Sequence, residues 1–189
     1  MTLQARFLSV LTTLTFAASL QAGTVWYANL NGAAENPAVS TTATGYILVT
    51  LSGNLLSISE SFSGLTGGAA AAAHIHCCAA APLNVGVALP FTGFPNATSG
   101  FYTATFDLTL VATYTASFVT ASGGTAAGAQ AALLAGLNGG QAYANIHDAA
   151  NPGGEIRGQL LNAPEPTSSV LLLVGLLPAI AVIGRRRRK

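Results

Sequence analysis

The sequence predicts an all-β domain, a Greek-key β-sandwich or barrel with one short helix, placed between two apolar terminal segments. Three observations support this class: short runs in which apolar and polar residues alternate, aromatic residues within those runs, and turn residues between them. The chain has 189 residues, which allows one domain with accessory segments. We therefore divide it into residues 1–22, 23–162 and 163–189.

Residues 1–22 are predicted to be a secretory signal peptide. Arg6 provides positive charge near the start, residues 7–20 are largely apolar, and Ala22 precedes Gly23 as a small-residue cleavage position. An N-terminal core helix is the alternative, but the apolar run ends at the small-residue site and a strand pattern follows it. The segment therefore predicts export.

The body of the chain has the pattern of eight short strands, because alternation places every second side chain on one face of a sheet. The predicted strands are residues 24–30, 45–51, 55–62, 72–76, 85–89, 101–111, 141–147 and 155–161. Ser52-Gly53-Asn54 predicts a β-hairpin between the second and third strands, and the last two strands are predicted to pair across residues 148–154. Residues 125–137 break the alternation and predict the helix, with Thr125 as its cap.

Two positions test this alternation. Glu60 falls on the apolar face of its strand, so we expect it at the rim of the core or beside a partner. In the strand of residues 101–111, alternate residues from Tyr102 to Leu110 are expected to face the core.

The body has one cation, Arg157, against five carboxylates, and the net charge of +1 comes from a basic run at the C-terminus. Such a body offers no basic patch to hold phosphates, which excludes nucleic-acid binding. Glu155 and Arg157 are two residues apart on a strand and share a face. We expect Arg157 to be an ion-pair or hydrogen-bond hub with Glu155, Asp148 or Glu35.

His74 and His76 give the sharpest chemical hypothesis. Residues i and i+2 of a strand point the same way, so both imidazoles can reach one metal ion. His147 and the thiols of Cys77 and Cys78 can complete a site with Zn or Cu character. The alternative, which we favour from the sequence, is that the histidines form hydrogen bonds between neighbouring strands and that the protein has no cofactor.

The adjacent cysteines have other possible states. Cys77 and Cys78 can form a disulfide with each other, which export permits, or a bridge to another chain. Elsewhere the sequence contains neither a phosphate loop nor a nucleophile elbow beside a general base. We therefore predict that the protein is not an enzyme.

Four segments of the body carry a family resemblance. They are NLNGAAENPAV at residues 29–39, AHIH at 73–76, YANIH at 143–147 and NPGGEIRGQL at 151–160. Together they resemble the CHRD domain, named from chordin and also found in bacterial secreted proteins, over residues 25–161. The resemblance implies an extracellular β domain and no established chemical activity. Within it we expect a structural hub made of Glu35, Asn145, Glu155 and Arg157.

The C-terminal segment combines three features in order. A Pro164-Glu165-Pro166 motif precedes an apolar run at residues 170–183, and a helix over residues 168–184 would be about 25 Å long and can just cross a thin bilayer. The chain then ends in the basic run Arg185, Arg186, Arg187, Arg188 and Lys189. This order resembles the PEP-CTERM sorting signal, which implies cleavage near the motif by an exosortase of the inner membrane. A permanent single-pass anchor is the alternative.

These observations predict an exported, exosortase-processed protein of the cell surface or extracellular matrix. The expected route passes through an inner-membrane intermediate, and the expected partners are the secretion machinery, the exosortase, and an exopolysaccharide or other surface proteins of a biofilm. A secreted metal-binding or redox domain is the second hypothesis.

Overall fold

The computed structural model describes residues 24–163. These residues form nine β-strands: β1 (Thr24–Asn31), β2 (Thr44–Ser52), β3 (Leu55–Ser63), β4 (Ala70–Cys77), β5 (Val87–Pro90), β6 (Gly100–Asp107), β7 (Ala142–Asp148), β8 (Ile156–Gln159) and β9 (Leu161–Asn162). They also form two α-helices, α1 (Ala116–Ala121) and α2 (Ala126–Asn138), and two 3₁₀ helices, Gly32–Ala34 and Val111–Thr113.

Several predicted segments lie outside the described residues. They are the signal peptide of residues 1–22, the Pro164-Glu165-Pro166 motif, the transmembrane helix of residues 168–184 and the basic run of residues 185–189. Within residues 24–163, none of the helices combines the length and the hydrophobicity that a membrane span requires.

All nine strands belong to one antiparallel sheet in the order β5-β4-β7-β8-β1-β2-β3-β6, with β9 also paired to β1. The sheet curls into a half-barrel, which confirms the predicted all-β class. After β3 the chain crosses to β4 on the far side of the sheet, and it returns as β6 beside β3. Strands distant in sequence, such as β4 and β7, are therefore neighbours in space.

The local elements agree with the sequence pattern at most positions. β2 and β3 form the predicted hairpin, whose turn contains Gly53 with a φ of 59°, a conformation that glycine adopts without steric cost. β7 and β8 form the second predicted hairpin. The predicted helix is α2, and the side chain of Thr125 accepts a hydrogen bond from the N–H of Gly128. The short helix α1, which Thr115 caps, was not predicted from the sequence.

The strand predicted over residues 101–111 ends earlier, at Asp107. The carboxylate of Asp107 accepts hydrogen bonds from the backbone N–H and the hydroxyl of Thr109, and this local turn stops the strand. Leu110 consequently lies outside the core with 54 % of its surface exposed, so its predicted burial was wrong.

The inner face of the curled sheet holds the hydrophobic core. Alternate strand residues are buried there and are covered by Leu133 and Leu137 of α2; these strand residues include Trp26, Ile47, Ile58, Ile75, Ile146 and Ile156. Burying each of these side chains stabilises the fold by roughly 1.5–3 kcal/mol.

Glu60 interrupts this apolar face. It is fully buried on β3, opposite Ile47 on one side and Tyr102 on the other, and among residues 24–163 neither of its carboxylate oxygens has a hydrogen-bond partner. The expectation of a rim position or a partner was therefore wrong. Burial raises the pKa of Glu60 to about 8, so the carboxyl is mostly protonated at neutral pH.

The outer face of the sheet has two parts. In the covered region, the outward side chains of β4, β7 and β8 are polar and lie beneath loops of the chain; they include His74, His76, Tyr143, Asn145, His147 and Arg157. In the open region, on β1, β2, β3 and β6, the outward side chains are half-buried or exposed, and Asp107 at the end of β6 is the one charged member; the others include Tyr27, Tyr46, Leu48, Thr50, Ser57, Ser59, Ser61, Phe101, Thr103 and Thr105.

Candidate metal centre

The pairing of β4 with β7 brings three imidazoles together in the covered region. His74 and His76 are both on the outer face of β4, as the i and i+2 spacing predicts, and β7 supplies His147. One nitrogen of each ring lies within 4.8 Å of the others. His74 Nδ1 is 3.2 Å from His147 Nε2, close to the separation of about 3.3 Å between two imidazole nitrogens bound to one tetrahedral zinc ion.

Backbone carbonyls set the tautomers of two of these rings. His76 Nδ1 lies 2.7 Å from the carbonyl oxygen of Val85, and His147 Nδ1 lies 3.0 Å from that of Pro152. A carbonyl oxygen only accepts, so each Nδ1 carries the proton and donates it. Nε2 of each of these rings then carries the lone pair; that of His76 has no hydrogen-bond partner among the described residues, whereas that of His147 lies 3.2 Å from His74 Nδ1 and 3.0 Å from Asn145 Oδ1. Outer carbonyls orient metal-binding histidines in this way in proteins generally.

His76 Nε2 is the atom that points most directly to a ligand. It is buried and has no hydrogen-bond partner among the described residues. An unpaired polar atom in such a place costs about 1–3 kcal/mol, which a bound metal ion would offset.

The electrostatics keep the imidazoles neutral. Burial, together with the charges that His147 and His76 would carry, lowers the pKa of His74 to about 4. Burial also lowers the pKa of His76 and of His147. All three rings are therefore in the uncharged form that binds a metal ion at neutral pH.

Stacked side chains fix the position of His76. The ring of Tyr143 lies parallel to the imidazole, with a centroid separation of 4.6 Å and an interplanar angle of 2°. The guanidinium carbon of Arg157 lies 3.4 Å from the centroid of the same tyrosine ring. Arg157 also donates to Asn84 Oδ1 at 2.9 Å and to the carbonyl of Leu83 at 3.1 Å. A cation held over a buried ring contributes about 2 kcal/mol or more.

The expected hub around Arg157 exists with other partners. Within residues 24–163, the hydrogen bonds of Arg157 go to the loop residues Asn84 and Leu83, so the expected bonds to Glu155 and Asp148 were wrong. Glu35 acts on Arg157 only through its charge. The reason is local, because Glu155 precedes β8 and its carboxylate is occupied elsewhere.

Glu155 instead ties three segments of loop together. It accepts hydrogen bonds from the hydroxyls of Thr41 and Thr66 and from the N–H groups of Thr66 and Gly67. Burial alone would raise the pKa of Glu155, but the hydrogen bonds that Thr41 and Thr66 donate to its carboxylate contribute to lowering it to about 2. Glu155 is thus ionised and satisfied, and this loop framework holds the covered region closed.

Asn145 connects the histidines to Glu35. Its side chain lies 3.0 Å from His147 Nε2, and its amide nitrogen donates to the carbonyl of Gly153 at 3.4 Å. A Cβ atom at position 154 would overlap both Glu35 Oε1 and Asn145 Nδ2, so this approach requires Gly154, whose φ of 122° also suits glycine. Burial raises the pKa of Glu35 to about 7, although the Arg157 charge opposes the shift.

The cysteines do not belong to the cluster. Cys77 and Cys78 form a disulfide with each other, which is one of the states that the sequence allowed, and neither offers a thiolate ligand in this form. Cys77 also follows His76 by one residue and so points to the opposite face of β4, where its sulfur lies next to Gly136 of α2. The hypothesis that the thiols complete the metal site was wrong for this oxidised form.

Sequence reasoning missed several contributors to the site. Tyr143 lies two residues before Asn145 on β7, so the same spacing that paired His74 with His76 would have placed it on the outer face. The carbonyls of Val85 and Pro152 carried no signal, because any residue type provides a backbone oxygen.

Comparison with known proteins gives a single family. The model of the CHRD domain matches residues 26–160, which is most of the chain. No curated protein and no solved structure matches. The match spans all three histidines, Arg157 and the loops that cover them, and it shows that the chain belongs to the CHRD domain family.

Proposed function

We propose that this CHRD domain binds one transition-metal ion through His74, His76 and His147. The observation that supports the proposal best is the buried and unpaired Nε2 of His76, in a cluster where one ring nitrogen of each of the three neutral imidazoles lies within 4.8 Å of the others. A purely structural histidine would be expected to have its buried nitrogen paired. The role is binding rather than catalysis.

The donor set favours zinc or copper. Three neutral nitrogen donors suit both metals, whereas calcium and magnesium prefer oxygen ligands. Three protein ligands also leave a fourth position for water or another small ligand. His74 and His147 are half-buried, while His76 is buried under Tyr143.

The test is a metal titration of the chelator-treated chain with Zn(II) and with Cu(II), followed by isothermal calorimetry. We expect one ion per chain. His76→Ala should lower the affinity by roughly 100-fold or more, because even the loss of an outer partner of a metal-bound histidine costs 10–100-fold. The three histidines of the cluster are the only ones in the chain, so no other imidazole can replace them.

A matched control separates imidazole from sulfur ligation. Cys77→Ser/Cys78→Ser should keep the metal, since the sulfurs lie away from the cluster, and near-UV circular dichroism should confirm that each variant is folded. Equal metal content in the wild-type chain and in a folded His74→Ala/His76→Ala variant would contradict the proposal.

We further propose that the domain reaches the cell surface or the extracellular matrix as an exosortase-processed protein. Family membership is consistent with an extracellular or exported protein. The finer route is supported by the signal-like residues 1–22, and by the Pro164-Glu165-Pro166 motif, apolar run and arginines that follow the domain. An exopolysaccharide or another surface protein of a biofilm is the partner that this destination suggests.

Intact mass of the protein from its exporting host tests this route. We expect a chain that begins near Gly23 and ends near Pro166, and deletion of residues 164–189 should change the destination while the domain still folds. A mass that retains the C-terminal run indicates a permanent anchor, and unchanged localisation after the deletion contradicts the sorting role.

A further inference from the structure

The two edge strands of the described sheet differ in how well they are protected from pairing with another chain. β5 is the last strand at one end and β6 is the last strand at the other. An edge strand presents a row of backbone N–H and C=O groups that can pair with another chain, so proteins usually cover, shorten or charge such edges.

The β5 edge is protected in three ways. The strand has only four residues, and it ends in Pro90, which has no N–H to donate. Its free side is also occupied, because Thr115 donates its N–H to the carbonyl of Ala88 and its hydroxyl to the carbonyl of Val87. A further strand therefore has no place to pair at this end.

The β6 edge has none of these protections. The strand is eight residues long and pairs with β3 without a bulge over its whole length. Its sequence GFYTATFD contains neither proline nor a basic residue, and its one charge is at the last position, Asp107. Within residues 24–163, no backbone hydrogen bond outside the β3 ladder involves residues 100–106. Phe101 is 62 % exposed on this strand.

We propose that β6 pairs with β6 of a second copy of the chain, antiparallel and about a two-fold axis. An antiparallel partner must place outward residues opposite outward residues, so the axis falls on a residue, and the two registers with the greatest overlap of β6 place it at Thr103 or at Ala104. Phe101 then lies opposite Thr105 or Asp107 of the other copy, and the two Asp107 carboxylates do not meet in either register. Apart from Asp107, the open region beside β6 is uncharged and adds no repulsion between copies.

Because only the β6 edge is open to pairing, the number of copies in the assembly is limited to two. A two-fold contact uses the same surface on both copies and is closed once it forms. Because the β5 edge is occupied by Thr115, the joined sheet has no second open end at which to grow. The assembly is therefore a dimer and not a fibre, and it does not depend on the metal proposed above.

The first test is light scattering of the chain after gel filtration, over a range of concentrations and with a chelator present. We expect a dimer that Thr103→Lys/Thr105→Lys converts to a monomer, with the mass falling roughly two-fold. Ala127→Lys/Ala131→Lys adds the same two charges on exposed positions of α2 and should remain a dimer.

The second test reads the geometry directly. Thr103→Cys should form a disulfide-linked dimer under oxidising conditions when the axis lies at Thr103, where the two residues 103 are opposite each other. Thr103→Cys/Thr105→Cys should do so when the axis lies at Ala104, where residue 103 is opposite residue 105, and the native cysteines are already paired with each other. A wild-type monomer would show that another segment covers β6 and would overturn the proposal. So would a dimer that survives both lysines, or an assembly that grows beyond two copies.

Discussion

The covered and open regions lie on the same face of one sheet, yet they make different demands on the chain. In the covered region, the outward residues of β4, β7 and β8 are histidine, tyrosine, asparagine and arginine beneath loops. In the open region, serine and threonine on β3 and β6 face outward without such a cover. Both regions present polar side chains on the outer face of antiparallel strands, so they differ because loops cover only the first.

The comparison teaches where polar groups contribute to stability. A buried polar atom that loses its partner costs the full price of its desolvation, whereas an exposed hydroxyl exchanges a protein contact for water at little cost. Substitutions of similar size should therefore have large effects in the covered region and small effects in the open one.

The largest effect is expected for Arg157→Met. The methionine can still cover Tyr143, but Asn84 Oδ1 and the Leu83 carbonyl lose their donor and Glu35 loses its nearby cation. We expect the free energy of unfolding to fall by about 3 kcal/mol, measured by urea denaturation. Ser59→Ala in the open region is the matched control and should change it by less than about 0.5 kcal/mol. Similar losses at the two positions would remove the distinction between the regions.

A smaller effect that depends on pH is expected for Glu60→Gln, beneath the open region. The folded-state pKa of Glu60, about 8, lies above the ordinary value of 4.5, so the native state holds the proton more tightly than the unfolded state does. The wild-type protein is therefore most stable, as far as this group is concerned, below pH 4.5, and it loses that stability as the pH rises towards 8. For a pKa shift of this size, the loss of stability amounts to roughly 3–5 kcal/mol at pH 8.5 and to little at pH 4.5. We expect Glu60→Gln to remove this loss.

Thermal or urea unfolding of both chains across this pH range is the measurement. Leu56→Met, at another buried position of the same face of β3, controls for a general change in packing and should shift stability equally at every pH. Parallel curves for the wild-type and Glu60→Gln chains would mean that Glu60 has a partner or reaches water.

Much of the fold could be predicted because it follows local patterns. The alternation of apolar and polar residues predicted the strands, Ser52-Gly53-Asn54 predicted the first hairpin, and Thr125 predicted the start of α2. The i and i+2 rule placed His74 beside His76 for the same reason. The same rule, applied to Cys77, would have placed its sulfur on the face opposite the imidazoles.

The remaining features depend on contacts that no local pattern encodes. β4 meets β7 only because the chain crosses the sheet, so the approach of His147 was a hypothesis and not a consequence of spacing. Arg157 forms a hydrogen bond with Asn84, which lies in a loop without periodicity. Glu60 is buried although a carboxyl group is seldom predicted to be. Long-range pairing and loop closure decide these positions.

The burial of Arg157 also determines how the domain meets a protease. Between residues 24 and 163 it is the only lysine or arginine, and 2 % of it is exposed. Trypsin, which cleaves after these two residue types, therefore finds no accessible bond in the folded domain. Cleavage after Arg157 requires β8 to leave the sheet, so at low protease concentration its rate follows the population of molecules opened at that strand. Within residues 24–163, trypsin cleavage after Arg157 therefore reports the opening of β8, at the centre of the sheet, without any added label.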